Sequence, residues 1–372
     1  RLNEFHVDPG RAMRFAVNPR ALRTPYTTEE AQVVSLGAAK AALSEMSGWS
    51  GYEISPLWSL PKLAAQLGIS ALHCKDETQR LGLGSFKALG GAYAAGRALR
   101  RLDSTAARPV LCCATDGNHG QSVASGARRL GCRCVIFVHE HAPATKIEAM
   151  RRLGGEVSVV AGNYDDSVRH AEQVAAREGW LLISDTSEDP YDPVAADVMS
   201  GYGVLCLEAL GQLYERMPTH IFVQAGVGGL AAAMAGCFAE MHADQRPSVI
   251  VVEPEVAACV MASGIARKPI RIEGDLATRM EMLSCGQTSA PAWVVLQHRA
   301  DAFATVSDTQ ADEAAAALRA NTDMVRSLNV SPSAAAGLAG LQAVLREPAT
   351  ADSIRLGADS RVLIIATEGL DR

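Results

Sequence analysis

The chain has 372 residues, 48% of them hydrophobic and only 5% aromatic, enough for a sizeable core and for two or three domains at ~150 residues each. Its net charge of −6, from 35 basic and 41 acidic residues, supplies no basic field for nucleic acid and points to a small-molecule partner. No apolar run reads as a bilayer span of ~18 residues and no secretory signal opens the sequence, so no membrane role is expected. Nine Cys scattered through apolar runs read as reduced, buried thiols, which places the chain in the cytoplasm. Cys132-Arg133-Cys134 lacks the spacing of a metal or redox pair, and no metal is expected.

Along the chain, short apolar runs alternate with Gly-bearing turns and Ala-rich helical patterns. Strands are expected at 71–75, 110–114, 134–138, 157–160, 181–184, 220–224, 249–252 and 362–366. Helices are expected at 85–99, 118–130, 143–153 and 165–178. This alternation implies right-handed βαβ units and an α/β fold with open, mostly parallel sheets flanked by helices. Four tightly spaced units between 104 and 202 suggest a small domain. Residues 1–103 and 203–372 would then form a large domain from both chain ends, with a cleft between the two. Ligands in such folds bind beyond the carboxyl ends of the strands.

Several polar clusters fall there. Ser85 reads as a helix N-cap, which puts Lys87 in the first helical turn, where the helix dipole disfavours a cation. A solvated surface lysine is the ordinary reading; a desolvated lysine has a lowered pKa and can form an imine. The turn Thr115-Asp116-Gly117-Asn118-His119-Gly120 follows a strand and opens a helix, so its amides suit a carboxylate or phosphate, though Asp116 and Asn118 also serve as ordinary turn residues. Gln224-Ala225-Gly226-Val227-Gly228-Gly229 lets the backbone approach a phosphate, although tight strand–helix packing also selects glycine. Its G-x-G-G spacing departs from the dinucleotide fingerprint G-x-G-x-x-G, and Glu253 reads as a turn residue rather than a ribose binder, so a monophosphate fits better than NAD. Asp185 ends an apolar run and reads equally as a cap or a site residue.

Together these motifs resemble the fold-type II (tryptophan synthase β-like) pyridoxal 5'-phosphate (PLP) enzymes, and within that group the diaminopropionate ammonia-lyases. The likeness is carried by Lys75-Asp76-Glu77, Phe86-Lys87-Ala88-Leu89-Gly90-Gly91-Ala92-Tyr93, the 115–120 turn, Asn163-Tyr164-Asp165-Asp166, Asp185-Thr186 and the 224–228 turn. It continues through Glu253-Pro254, Gly274-Asp275-Leu276-Ala277-Thr278, Cys285-Gly286 and Thr367-Glu368-Gly369. The resemblance implies a two-domain fold with PLP in the interdomain cleft and a homodimer. It also implies β-elimination of 2,3-diaminopropionate to pyruvate and ammonia. It implies a Schiff base on Lys87, with Phe86, Asn118, Gly226, Val227, Gly228, Gly229 and Thr367 around the cofactor and Asp116 and Asp185 as bases on opposite faces. Thr115, Gly117 and His119 would take the substrate carboxylate. The sequence departs from the family pattern at Gly84-Ser85, at Ser187-Glu188-Asp189-Pro190-Tyr191 and at Ser331-Pro332-Ser333. The last two fall toward the substrate side and keep open a related eliminase acting on serine, threonine or another β-substituted amino acid. A PLP-binding protein without turnover and an NAD-binding domain are the alternatives outside that class.

Overall fold

The computed structural model describes residues 13–102, 109–115, 117–162, 164–214, 217–324 and 326–370. Eleven strands form two sheets: β1 (Phe15–Val17), β2 (Leu57–Ser59), β3 (Ala71–Asp76), β4 (Leu111–Ala114), β5 (Cys134–His139), β6 (Glu156–Val160), β7 (Leu181–Leu182), β8 (His220–Gln224), β9 (Ser248–Pro254), β10 (Ala302–Val306) and β11 (Arg361–Ala366). Seven strands run in the order β1-β10-β9-β8-β11-β3-β2 and four in the order β6-β5-β4-β7. All pairings are parallel except β1 with β10 and β2 with β3, the two edges of the larger sheet.

Parallel strands covered by helices on both faces are apolar on both faces. In β11, Leu363 and Ile365 belong to one buried cluster and Val362, Ile364 and Ala366 to another. The expected strands and helices are all present, with β7 shorter than its apolar run. Three strands went unread. β1 and β2 are three-residue edges with too little pattern of their own. In β10, Ala302 and Ala304 dilute the β-branched signal, and pairing with β9 supplies what local propensity does not.

The Lys75-Asp76-Glu77 segment has a structural role. Lys75 Nζ, fully buried, reaches Glu208 Oε2 and the Ser55 carbonyl, both at 2.7 Å, and Gln212 Oε1 at 2.8 Å. Arg80 joins Glu77 at 2.7 Å and Glu208 at 2.6 Å. Two cations and two carboxylates thus satisfy one another beneath the end of β3, the condition under which charge tolerates burial. Asp76 takes the indole N–H of Trp58 at 3.0 Å and Arg326 at 2.6 Å.

The helix Pro193–Leu213 is long and apolar enough to cross a membrane by length and composition, with 72% of its apolar window buried inside the fold. That burial is the behaviour of a core helix. Asp192 caps it by accepting the amides of Val194 at 2.7 Å and Ala195 at 3.0 Å. It crosses the helix Lys87–Arg100 at a pair of glycines. A Cβ on Gly201 would lie 2.6 Å from the Leu89 carbonyl and 2.9 Å from Gly90 Cα. Gly201→Ala is therefore expected to push the two helices apart, costing about 1–3 kcal/mol. A thermal melt showing no loss against the parent chain would contradict this packing.

Candidate active site

The carboxyl ends of β4, β7, β8 and β11 and the start of the Lys87 helix converge on one cavity. It is lined by Phe86, Lys87, Thr115, Gly117, Asn118, His119, Asp185, Gln224 to Leu230 and Thr367, and by Tyr164, Tyr202, Glu281 to Cys285 and Glu368. Every site residue expected from the sequence lines it except Asp116, which lies outside the described residues.

Lys87 is the first residue of its helix, and its amide donates to Ser85 Oγ at 3.3 Å. The turn before it is fastened to the end of β11: the Phe86 amide donates to the Thr367 carbonyl at 3.0 Å, and the Gly369 amide to the Gly84 carbonyl at 3.0 Å. This fastening fixes Lys87 and Thr367 relative to each other through the backbone.

Lys87 Nζ donates to Asp185 Oδ2 and forms an ion pair with it, across the gap between the two sheets. Asp185 thus pairs with the lysine rather than capping a turn. Burial disfavours the Lys87 ammonium, but the Asp185 carboxylate outweighs it and holds the amine above the ordinary lysine value. Burial likewise raises the Asp185 carboxyl, while the charge and hydrogen bond of Lys87 pull it well below the carboxylate range. The lowered lysine pKa expected from desolvation alone is overridden by this partner. His119 is buried, with Nε2 2.8 Å from the Ile183 carbonyl, and burial lowers its pKa; Nε2 donates and the imidazole is neutral.

At the far side, the Gly226–Gly229 turn precedes the helix Gly229–His242. Among the described residues, none of these four amides donates to a backbone or side-chain acceptor. Gly228 has φ +98°, and a Cβ there would meet Leu296 at 3.1 Å. Unclaimed amides at a helix N-terminus, on a chain that approaches closely only because it lacks side chains, make an anion cradle. Thr367 Oγ1 accepts from Gln224 Nε2 at 3.1 Å, leaving the hydroxyl proton free to be donated. Asn118 Nδ2 donates to Glu368, whose other oxygen takes Ser331 Oγ at 2.6 Å, so one Asn118 N–H is held and the second remains. Thr115 Oγ1 accepts the Gly117 amide at 3.1 Å and shapes the turn at which both residues line the cavity.

An amine, an anion cradle and a free hydroxyl proton, all facing one cavity, fit PLP at its aldehyde, phosphate and ring nitrogen. A family model for pyridoxal-phosphate dependent enzymes matches residues 49–368. The chain belongs to the pyridoxal-phosphate dependent enzyme family. Its fold is that of the fold-type II members and its cofactor is PLP. It is 34% identical to a diaminopropionate ammonia-lyase of Salmonella typhimurium over 88% of this chain and 91% of that one. It is 31% identical to a biosynthetic L-threonine dehydratase of Pasteurella multocida over 79% of this chain and 53% of that one. The crystal structure of Escherichia coli diaminopropionate ammonia-lyase with an aminoacrylate-PLP azomethine reaction intermediate superposes with a TM-score of 0.87 at 32% identity, covering 96% of this chain and 94% of that one.

One motif departs from the reading its sequence suggests. Glu253 is no turn residue: it ends β9 fully buried, accepts the amides of Val260 and Met261 at 2.7 Å each, and burial pushes its carboxyl up to about 8. Gln224 and Glu368 stand in the sequence motifs without a role of their own, and Tyr202 is not singled out in the sequence. Their signal is a polar group at the end of a strand or inside an apolar helix, which only folding turns toward the site.

The ion pair has a titration signature in the cofactor-free chain. The depressed Asp185 carboxyl stabilises the fold above an unfolded pKa of ~3.9, an effect lost as pH falls through the folded value. The raised Lys87 amine does so below ~10.4, an effect lost as pH rises through its folded value. In Asp185→Asn, burial then acts on Lys87 without its main opposing charge and its pKa is expected to drop below the ordinary value. NMR titration of the lysine ε-position in the cofactor-free variant measures this, and an unchanged Lys87 would contradict the pairing.

Proposed function

We propose that this chain catalyses PLP-dependent β-elimination of 2,3-diaminopropionate, with water, to pyruvate and two ammonia, as a carbon–nitrogen lyase. The observation that supports it most is the meeting of Lys87 and Asp185 with the Gly226–Gly229 cradle and Thr367 in one cavity, on a chain 34% identical to a diaminopropionate ammonia-lyase. In this reading Lys87 carries the cofactor, the Gly226, Val227, Gly228 and Gly229 amides hold its phosphate, and the Asn118 amide and the Thr367 hydroxyl meet its ring. Phe86 flanks it. When bound, PLP supplies an electron sink for negative charge developing at the substrate α-carbon. A hydroxyl rather than a carboxylate at the ring nitrogen restrains that sink, which suits elimination over transamination.

The chain's own groups supply the proton chemistry. Asp185, freed from Lys87, takes the α-proton from one face of the substrate, and Asp116 takes it from the other face for the opposite enantiomer. The Lys87 ammonium gives a proton to the departing β-amine. Thr115, Gly117 and His119 receive the substrate carboxylate at the helix N-terminus. Neutral His119 places no second charge there.

The two sheets support the proposed division into a small domain, 104–202, and a large domain, 1–103 with 203–372, the boundary at 202 falling inside the helix Pro193–Leu213. Nine cysteines outside any disulfide, seven of them buried, support a cytoplasmic location. A homodimer completes the reading by analogy. The second reading is an eliminase of serine or threonine, favoured by the threonine dehydratase identity and by the relative's crystal structure with D-serine.

Initial rates of 2-oxo acid release from D- and L-diaminopropionate, serine and threonine separate the two, with diaminopropionate expected to be fastest. Equal rates on serine would sink the lead. Lys87→Ala is expected to lose the visible band of bound cofactor. Asp116→Asn and Asp185→Asn should each cost about 10²–10⁴-fold in kcat on one enantiomer and spare the other. Equal loss on both enantiomers in both variants would defeat the two-base assignment.

A further inference from the structure

Tyr202 lies where two parts of the site meet, and none of the proton transfers above employs it. The helix Pro193–Leu213 brings its ring against Gly90 on the Lys87 helix, where a Cβ would come within 2.5 Å of Tyr202 Cε1. The opposite ring edge lies 3.6 Å from where a Cβ would stand on Gly229, at the phosphate turn. The Phe86 ring packs on it at 4.8 Å between centroids and 59° between planes. Tyr202 is only 2% exposed and lines the cavity, and its hydroxyl has no hydrogen-bond partner among the described residues. A buried hydroxyl without a hydrogen bond of good geometry carries a desolvation cost, and the Lys87 amine acts on this one both as a charge and as a hydrogen-bonding group. Its ring fits a notch that Phe would fill equally well, so packing alone does not explain the oxygen.

The nearby polar group with a changing need is the Lys87 amine, whose charge acts on Tyr202. The titratable groups around that amine are Asp185 after β7, Tyr202 on the long helix and Cys285 in the loop before the helix Ala290–Arg299, with His119 acting on Asp185 from the 115–120 turn. Asp185, ionised, only accepts, and so serves the ammonium. Once the amine is neutral, its lone pair needs a donor. A phenol both donates and accepts. Burial raises the Tyr202 pKa, which keeps the phenol protonated and able to donate at neutral pH.

We propose that Tyr202 is a positioning residue whose hydroxyl donates a hydrogen bond to the neutral Lys87 amine, holding it in the cavity ready for the cofactor. The proposal rests on Lys87 being the attachment point. No proton is transferred; the hydroxyl stabilises the neutral amine against the ammonium that Asp185 favours.

The test uses the full chain freed of PLP and remixed with PLP across pH, with capture followed by the visible band. Tyr202→Phe keeps the ring and removes one hydrogen bond, so capture at pH 7 is expected to slow about tenfold, with its pH midpoint moved upward. The thermal midpoint of the cofactor-free chain is expected to hold or rise, because the deleted oxygen has no partner there. Parent-like capture rate and pH midpoint would overturn the proposal, as would a lowered thermal midpoint with an unmoved pH midpoint. Placing 3-fluorotyrosine at 202 gives a second measurement: the more acidic phenol is a stronger donor, and the capture midpoint should move downward. An unmoved midpoint there overturns the proposal too. Should Lys87→Ala keep the band, the attachment assignment fails; should it lose the band while Tyr202→Phe behaves as the parent, only this inference fails.

Discussion

The site depends on one ion pair that spans the two sheets. Lys87 begins a helix fastened to the larger sheet, and Asp185 follows the last strand of the smaller one. Each charge is partly withdrawn from water, and each would be costly alone. Their union lets both remain ionised and leaves the amine protonated while no cofactor is bound. In the proposed function the same pairing would link occupancy to chemistry, because a Lys87 committed to the cofactor would leave the Asp185 carboxylate available as a base. A surface lysine has no such partner, and a lysine buried without a carboxylate loses its proton to desolvation.

Around that pair the scaffold solves two packing problems. In the proposed site the cofactor's phosphate and ring ends would be addressed from separate strands, β8 and β11, which are hydrogen-bonded neighbours. Gln224 joins them directly, because its amide donates both to Thr367 Oγ1 and to the Ile365 carbonyl at 3.0 Å. The Lys87 helix must also sit close to the helix Pro193–Leu213: backbone makes that contact at Gly201, while Gly90 leaves room for the Tyr202 ring and Val198. Close helix contact of this kind fixes a catalytic side chain more firmly than a loop does. The buried cluster of Lys75, Glu77, Arg80 and Glu208 ties the same long helix to the end of β3, away from bulk water.

Much of this was legible in the sequence because it is local. Apolar runs of five residues, Gly-bearing turns and Ala-rich helices mark the inner strands and their crossovers, and polar clusters at strand ends mark the cavity. The edge strands β1 and β2 escaped because their order comes from the neighbour they pair with. Glu253 was misread because charge in a short Glu-Pro segment looks exposed, whereas two amides of the following helix let it be buried. The chemistry of Lys87 was only half legible: its burial followed from glycine and apolar neighbours, and the sign of its pKa shift did not.

The sequence by itself determined the fold class, the cofactor and the order in which the lysine, the asparagine turn and the glycine turn appear, since each rests on residues adjacent in the chain. Tertiary structure alone decided the partners: Asp185, 98 residues from Lys87, Glu368, 250 residues from Asn118, and Thr367, 143 residues from Gln224. Electrostatic shifts depend on distance through space and on the water excluded between groups. Neither quantity exists until the two sheets close on the same cavity.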